Sequence, residues 1–242
     1  MALNSSIEWT QNTWNPVTGC TKTSDGCLNC YAERMANRLK AMGQERYKDG
    51  FNLAIHPEVL NEPFTWKKGQ RVFVCSMSDL FHEKVPESFI RKIFRVIRLN
   101  PLLTFQVLTK RSHRALMISR KLKFPDNLWL GVTVESAKYI SRIDDLREID
   151  IQTRFISTEP LLTSLPKLNL DGIHWVIVGG ESGPGARVIE KDWVVDIYKQ
   201  CAKAKVPFFF KQWGGVHKKK NGRELNGKIY SEYPLVKRVA LR

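Results

Sequence analysis

The amino-acid sequence predicts an α/β protein, built as a partial (β/α) barrel of about six parallel strands. Short apolar runs alternate with amphipathic helical segments along most of the 242 residues. The runs lack the strict polar alternation of half-exposed strands, as expected for parallel strands buried on both faces. Polar or charged residues follow each run, which is the arrangement found where the carboxyl ends of barrel strands build a site.

Six strands are predicted from apolar runs separated by helical segments. In chain order they are Arg71–Ser76, Thr104–Leu108, Leu128–Val134, Arg154–Ser157, His174–Val178 and Pro207–Phe210. The repeated strand–helix order favours right-handed crossovers between parallel strands, in either a barrel or a doubly wound sheet. The polar residues at all six strand exits favour the barrel, since a curled sheet would bring them into one cavity.

Three helices between these strands are predicted from apolar residues at helical spacing. The first lies between Pro86, which suits a first helical turn, and Asn100, which precedes a proline. The second, 136–146, begins at a serine that suits an N-cap. The third spans about 190–204 and carries Cys201 on its apolar stripe. We therefore predict that Cys201 fills the core and binds no ligand.

Composition predicts one globular domain over residues 1–215 and a basic C-terminal extension over 216–242. The N-terminus has no cationic start followed by an apolar stretch, so no signal peptide is predicted. The longest apolar runs are too short to cross a membrane. Five cysteines, three of them clustered, are more typical of a reducing cytoplasm than of a disulfide framework. These features predict a cytoplasmic protein without a membrane partner.

The cysteine cluster is the strongest chemical signal, with Cys20, Cys27 and Cys30 spaced Cys-x6-Cys-x2-Cys. Three thiolates can hold a 4Fe-4S cluster and leave one iron free for a ligand or substrate. A structural zinc ion with a fourth ligand, such as His56 or His82, is the first alternative. Three unligated cysteines are the second alternative.

The strand exits supply the other candidate site residues. Candidate catalytic residues are Cys75, Asp79, Glu135, Glu159 and Glu181. Candidate cofactor-binding residues are Tyr31, Ser76, Gly179 and Gly180. The glycine-rich stretch that begins at Gly179 lacks the order of the dinucleotide fingerprint, and no phosphate-binding P-loop sequence is present. Cys75 has three possible roles: a hydrogen-atom donor, a fourth metal ligand or a small core residue.

The charge predicts a polyanionic partner. Lysine and arginine exceed aspartate and glutamate by 15, and such an excess is typical of proteins that bind phosphates. The alternative is that the excess only keeps helix faces soluble. Candidate nucleic-acid-binding residues are Lys110, Arg111, Arg114, Lys211 and Trp213.

Six separate stretches resemble a phage and prophage protein family of unassigned activity. They are NPVTGC…GCLNCYAERM, FVCSMSDLFHE, NLWLGVTVES, FISTEPLL, HWVIVGGESGPGAR and PFFFKQWGG. That family resembles radical S-adenosylmethionine proteins and, distantly, spore photoproduct lyase. The resemblance implies a cluster held by the three cysteines in the loop after the first strand, and S-adenosylmethionine that chelates the open iron and yields a 5′-deoxyadenosyl radical. It also implies a possible three-Cys-motif partner protein.

Two departures from the radical S-adenosylmethionine pattern concern the cofactor site. The gap between Cys20 and Cys27 is three residues longer than usual, and the Gly-Gly-Glu at 179–181 follows a late strand rather than an early one. Two functions stay open. One is a radical S-adenosylmethionine-type iron–sulfur enzyme that modifies or repairs nucleic acid or a nucleotide. The other is a non-catalytic, metal-stabilised, basic nucleic-acid-binding protein of a mobile element.

Overall fold

The computed structural model describes residues 2–3 and 5–235, the first two by their backbone alone. The strands are β1 (Ala2–Leu3), β2 (Asn12–Trp14), β3 (Val17–Thr18), β4 (Ala54–Ile55), β5 (Arg71–Val74), β6 (Thr104–Thr109), β7 (Leu128–Thr133), β8 (Thr153–Thr158), β9 (Trp175–Gly179), β10 (Phe208–Gln212), β11 (Glu224–Leu225) and β12 (Lys228–Ile229). The α-helices are α1 (Tyr31–Ala41), α2 (Glu87–Leu99), α3 (Ser112–Ser119), α4 (Ser141–Glu148), α5 (Lys191–Ala204) and α6 (Lys218–Asn221). Short 3₁₀ helices lie at Asp25–Cys27, Glu45–Tyr47, Pro57–Val59, Glu62–Thr65 and Ala137–Tyr139.

The main sheet has eight strands in the order β1-β2-β5-β6-β7-β8-β9-β10. All neighbouring pairs from β2 to β10 are parallel, and only β1 runs antiparallel to β2. Because each crossover steps to the next strand in the same direction, the helices share one face and the sheet curls around the other. The curl is visible at Trp9, which packs on Phe73 of β5, Phe155 of β8 and Trp175 of β9. The predicted partial (β/α) barrel is confirmed.

The helical face carries the larger apolar core. The apolar stripe of α2 packs here with Phe105 and Val107 of β6. Helices α2 and α5 begin and end within one residue of their predicted bounds, and Cys201 is fully buried in this core, as predicted. The segment predicted as one helix, 136–146, is a 3₁₀ turn followed by α4, with Ser136 in the extended conformation of an N-cap.

The concave face, called the lumen below, changes character along each strand. Side chains two residues apart share a strand face, so Gln106 and Leu108 of β6 point inward, and Lys110, directly after the strand, follows the same alternation. At the amino ends of the strands the lumen is filled by an aromatic cluster that includes Trp129 and Trp175. Toward the carboxyl ends, hydroxyl and charged side chains replace the aromatic ones. The fold therefore places its polar lumen residues above an aromatic floor.

All six predicted strands are present, with bounds that differ by at most two residues. A seventh parallel strand, β2, was not predicted because Asn12–Trp14 is only three residues long and two of them are polar. This strand is the first of the parallel set, so the cysteine cluster follows it, as the resemblance implied. In the C-terminal segment, Leu225 and Tyr230 are buried in the main core. Among the described residues, no helix is both long enough and apolar enough to span a membrane.

Candidate metal centre and its cavity

A cavity of about 1020 Å³ opens at the carboxyl ends of the parallel strands. That volume lies at about the upper end of the 300–1,000 Å³ range typical of small-molecule sites. Cys20, Cys27 and Cys30 all line it, and each is a free thiol of intermediate exposure. The predicted site residues that line the same cavity are Tyr31, Cys75, Ser76, Asp79, Lys110, Arg111, Glu159, Gly180, Glu181 and Lys211.

The loop that carries the cysteines, residues 19–30 and called the cysteine loop below, has little regular structure of its own. Cys27 ends a single 3₁₀ turn and Cys30 is the N-cap of α1. Its position therefore depends on contacts with the strand exits. Three such anchors hold it.

The first anchor is Arg111, at the exit of β6. Its Nη1 donates to the thiol sulfur of Cys20 at 3.4 Å, and its Nη2 donates to the carbonyl oxygen of Thr21 at 3.1 Å. Asp79 and Glu83 accept from the same guanidinium at 3.2 and 2.9 Å. Because the guanidinium is planar and offers five donors, one side chain can hold both the loop and the two carboxylates.

The second anchor is Glu135, a fully buried carboxylate at the exit of β7. It accepts from the Ser24 hydroxyl of the cysteine loop and from the Lys110 ammonium, and from Arg142 at 2.8 Å. Burial alone would raise the pKa of Glu135, but the charges of Lys110 and Arg142 outweigh burial and hold this pKa below its usual value. The carboxylate therefore stays ionised inside the protein.

The third anchor is Glu181, at the exit of β9. Its carboxylate accepts from the Asn29 amide at 3.0 Å and from two nitrogens of Arg187, the shorter contact being 2.6 Å. Arg187 also donates to the backbone oxygen of Asp25 at 3.0 Å. Arg34 of α1 donates in turn to the backbone oxygen of Ser182 at 2.5 Å. The segment that follows β9 is thus held against the cysteine loop and the start of α1 by these hydrogen bonds.

The candidate catalytic carboxylates are neutralised by neighbouring cations. In addition to the pairs at Asp79, Glu135 and Glu181, Lys211 contacts Glu159 at 2.5 Å. Lys110, Arg111 and Lys211 were predicted to bind nucleic acid, and the structure places all three in these internal ion pairs. All three also line the cavity, and their role in nucleic-acid binding stays a prediction. These four carboxylates therefore carry paired rather than bare negative charge.

The other two candidates for nucleic-acid binding lie away from the cavity lining. Arg114 donates to the backbone oxygen of Val85 at 2.7 Å. Trp213 packs edge-on against Phe210, with ring centres 4.7 Å apart, and its indole donates to the backbone oxygen of Glu224. Both side chains have structural partners, and neither contacts the cysteine loop through a hydrogen bond.

Cys75 stands apart from the other thiols. It is 3 % exposed and has a φ of 60°, a left-handed conformation that costs free energy in a residue with a Cβ. Burial raises the pKa of its thiol far above the usual range, so the S–H bond stays intact at neutral pH. The next residue, Ser76, donates to the side chain of Asn15 at 3.1 Å and accepts through its backbone oxygen from Tyr31.

The candidate cofactor-binding glycines have different surroundings. A Cβ on Gly180 would lie 2.1 Å from the backbone oxygen of Trp213, so only glycine fits at this strand exit. Gly179 is less crowded, since a Cβ there would meet Glu159 at 3.4 Å. The close approach at Gly180 is explained by packing between the exits of β9 and β10 without any ligand.

The pKa values of two cluster thiols move in opposite directions. Burial raises the pKa of Cys20 to about 11, despite the nearby Arg111. Burial would also raise the pKa of Cys27, but the charge of Lys110 and hydrogen bonds from the loop outweigh it and lower this pKa. Cys27 therefore forms a thiolate, which is the metal-binding form, more readily than Cys20.

The three free cysteines supply three thiolate donors, as a 4Fe-4S cluster with one open iron needs, whereas a structural zinc ion needs a fourth ligand from elsewhere. Within the described residues, no group of three or more His, Cys, Asp or Glu side chains is arranged to hold one ion. Of the two histidines proposed as a fourth ligand, His56 contacts Thr18 at 2.7 Å, and His82 contacts Thr21 of the cysteine loop at 2.9 Å. A 4Fe-4S cluster binds each thiolate through a different iron and does not need the three sulfurs to converge on one point.

Several residues that build this site were not predicted from the sequence. Ser24 and Asn29 lie inside the cysteine motif, and Arg142 and Arg187 supply partners for buried carboxylates. Ser24 and Asn29 could have been suspected from their positions between the cysteines. Arg142 and Arg187 carry no local signal, because their partners are identified only by the fold.

Comparison with known proteins places the chain in one family. Residues 4–234 match the model of the family described as "Protein of unknown function (DUF5131)", so the chain belongs to that family. No curated protein matches the sequence. A double mutant of spore photoproduct lyase with bound AdoMet and dinucleoside spore photoproduct is similar in structure, with a TM-score of 0.48 and 9 % identity over 80 % of this chain. Spore photoproduct lyase complexed with dinucleoside spore photoproduct gives a TM-score of 0.44 and 10 % identity over 77 % of this chain. The chain spans 62 % and 59 % of those two proteins.

Proposed function

We propose that this member of the DUF5131 family is an iron–sulfur enzyme of the radical S-adenosylmethionine type that acts on nucleic acid or a nucleotide. One observation carries the proposal. Three free cysteines line a single cavity at the carboxyl ends of the parallel strands, where (β/α) barrels build their active sites. Two further points stay predictions: that the protein belongs to a phage-encoded group, and that it has a three-Cys-motif partner protein.

Cys20, Cys27 and Cys30 would hold a 4Fe-4S cluster, which together with S-adenosylmethionine would supply one-electron chemistry. The chain's own residues fix the loop that presents these thiols. Arg111 and Lys110 place positive charge beside Cys20 and Cys27, which offsets the negative charge that three thiolates bring into a partly buried site. Hydrogen bonds and charge around cysteine sulfurs are known to set the reduction potential of iron–sulfur clusters.

Cys75 would serve as a hydrogen-atom donor to a substrate radical. Burial raises the pKa of its thiol, so the S–H bond that such a donor needs is intact in the metal-free protein. Its left-handed backbone is the kind of local strain that clusters at functional sites. A Cys75→Ala variant that turned over substrate as fast as the wild type would contradict this role.

A direct test is anaerobic purification followed by iron, sulfide and zinc analysis, with EPR of the reduced protein before and after addition of S-adenosylmethionine. About four irons per chain, as a 4Fe-4S cluster requires, and an EPR signal that changes with S-adenosylmethionine are expected. Substituting any one of the three cysteines by alanine should reduce the iron content, whereas Cys201→Ala should not. One zinc and no iron would overturn the enzyme proposal and favour the metal-stabilised binding protein.

A further inference from the structure

The floor of the cavity is apolar and aromatic although its mouth is charged. Trp9, Phe73 and Leu108 line its inner end. Leu108 lies one inward-facing position below Lys110, the residue beside the cysteine loop. Above this floor, Thr133 and Ser157 contribute hydroxyl groups to the wall. The lining next to Trp9 also includes Ile7 and Glu8, and the Glu8 carboxylate lies 3.9 Å from the Lys218 ammonium.

Two polar groups at the aromatic end have no partner. Trp9 is 2 % exposed, and its indole Nε1 is buried without an acceptor in the described part of the chain. Gln106 is fully buried and pairs in register with Phe73 and Trp129, and neither atom of its amide has a partner there. An indole N–H can only donate, and an amide both donates and accepts. Of the two residues only Trp9 lines the cavity, and because burying an unpaired donor is costly, its N–H calls for a ligand that brings an acceptor to this aromatic surface.

The wall formed by α1 and the segment after it supplies positive charge that no carboxylate neutralises. Arg38 and Arg46 line the cavity and form no ion pair within residues 5–235. Arg46 donates to the backbone oxygen of Asn15 at 2.7 Å, and its Nε is buried without a partner. Tyr47 lies in the same wall. These arginines differ from Lys110, Arg111 and Lys211, whose charges are already paired.

We infer that the cavity binds a nucleotide unit with its base at the aromatic floor and its phosphate at the arginine wall. The nucleobase lies against Trp9, Phe73 and Leu108 and accepts a hydrogen bond from the Trp9 indole, while the phosphate faces Arg38 and Arg46. A nucleobase has the required chemistry, because its faces stack on aromatic rings and its edges carry hydrogen-bonding atoms. The substrate class comes from the proposed function, and the orientation comes from the contacts of the floor and the arginine wall.

Calorimetric titration of the anaerobically purified protein tests this orientation. The probes are thymidine 5′-monophosphate, deoxyguanosine 5′-monophosphate and 2-deoxyribose 5-phosphate, which lacks the base. At least one mononucleotide should bind about tenfold or more tighter than the base-free sugar phosphate, since base–aromatic stacking contributes that much. Equal affinities for all three probes, or no binding of either mononucleotide, would overturn the inference.

Three variants separate the two ends of the ligand. Trp9→Phe keeps an aromatic ring but removes the N–H donor, and should weaken mononucleotide binding about fivefold without affecting the sugar phosphate. Leu108→Phe fills the floor and should exclude the base while leaving the sugar phosphate bound. Arg38→Gln should weaken both kinds of probe alike. Trp193→Phe, on the partly buried face of α5, is the control and should bind like the wild type.

The adenine of S-adenosylmethionine is the other source of a heterocycle, and the same variants distinguish it. If Trp9→Phe weakens S-adenosylmethionine binding and leaves mononucleotide binding intact, the floor holds the cofactor and the inference is wrong. If thermal melting shows that Trp9→Phe is folded, and this variant binds both S-adenosylmethionine and the mononucleotides like the wild type, the inference is also wrong. Iron analysis of each sample keeps the proposed function separate, because nucleotide binding without iron would overturn only the radical chemistry.

Discussion

The guanidinium of Arg111 lies 3.4 Å from the thiol sulfur of Cys20, although the two residues are 91 positions apart in the sequence. The same side chain contacts Asp79 and Glu83. A pair of basic residues at the exit of β6 is therefore part of the candidate metal centre. This placement changes what substitution at Arg111 should do.

Arg111→Lys should lower the iron content of the anaerobically purified protein and shift the reduction potential of the iron that is retained. A lysine ammonium cannot reproduce the planar fork that reaches the thiol, the loop carbonyl and two carboxylates together. Redox titration monitored by EPR measures the shift. Arg114→Lys, on the neighbouring helix, is the matched control and should retain iron and potential. If Arg111→Lys kept the iron content and reduction potential of the wild type, as Arg114→Lys is expected to do, a role for Arg111 beside the cluster would be contradicted.

Glu135→Gln should destabilise the protein by about 3 kcal/mol at pH 7, because it leaves Lys110 and Arg142 without a buried counter-charge. Since the folded-state pKa of Glu135 is held below its usual value of 4.5, the stabilisation by its charge is present above that pH. It is lost as the pH falls through the lowered pKa. Urea unfolding at several pH values measures the free energy of unfolding of both proteins. The difference between wild type and variant should be largest at pH 7 and should decrease below pH 4.5. A difference in the free energy of unfolding that does not change with pH would contradict an ionised Glu135 in the folded protein.

The sequence predicted the six longer strands well because strands buried on both faces are recorded locally as apolar runs. It also predicted that Asp79, Glu135 and Glu181 would share one cavity at the exits of the parallel strands; Asp79 and Glu181 line the same cavity, whereas Glu135 is not among its lining residues. It did not reveal their partners. Lys110 belongs to a run of basic residues and was expected to face nucleic acid, but Glu135 neutralises it across 25 residues of chain. Such pairs depend on which strands are neighbours, and short-range patterns do not report that.

Gly26→Ala should disrupt the cysteine loop although alanine is the smallest possible change. A Cβ at this position would lie 2.6 Å from the Cγ and Oε1 atoms of Glu135, and that side chain cannot move without breaking its ion pairs. Overpacking of this kind typically costs about 1–3 kcal/mol. Thermal unfolding and iron content are the measurements, and Thr23→Ala in the same loop, whose side chain is exposed, is the control. Wild-type behaviour of both variants would show that the loop is not seated on Glu135.

Among Cys20, Cys27 and Cys75 of the metal-free protein, iodoacetamide at pH 8 should react with Cys27 first, with Cys20 later and with Cys75 last. The thiolate is the reacting form, and the pKa of Cys27 is lowered while burial raises those of Cys20 and Cys75. Raising the pH toward 11 should accelerate alkylation of Cys20 more than that of Cys27, because the higher pKa of Cys20 leaves a larger share of its thiol protonated at pH 8. Peptide mass spectrometry at timed intervals measures each site, and the buried Cys201, with a pKa raised to about 12, is the internal control. Lys110→Met should slow the alkylation of Cys27, because the charge of Lys110 lowers the Cys27 pKa, and should leave the alkylation rate of Cys201 unchanged. An unchanged alkylation rate at Cys27 would show that its reactivity has another cause in the loop.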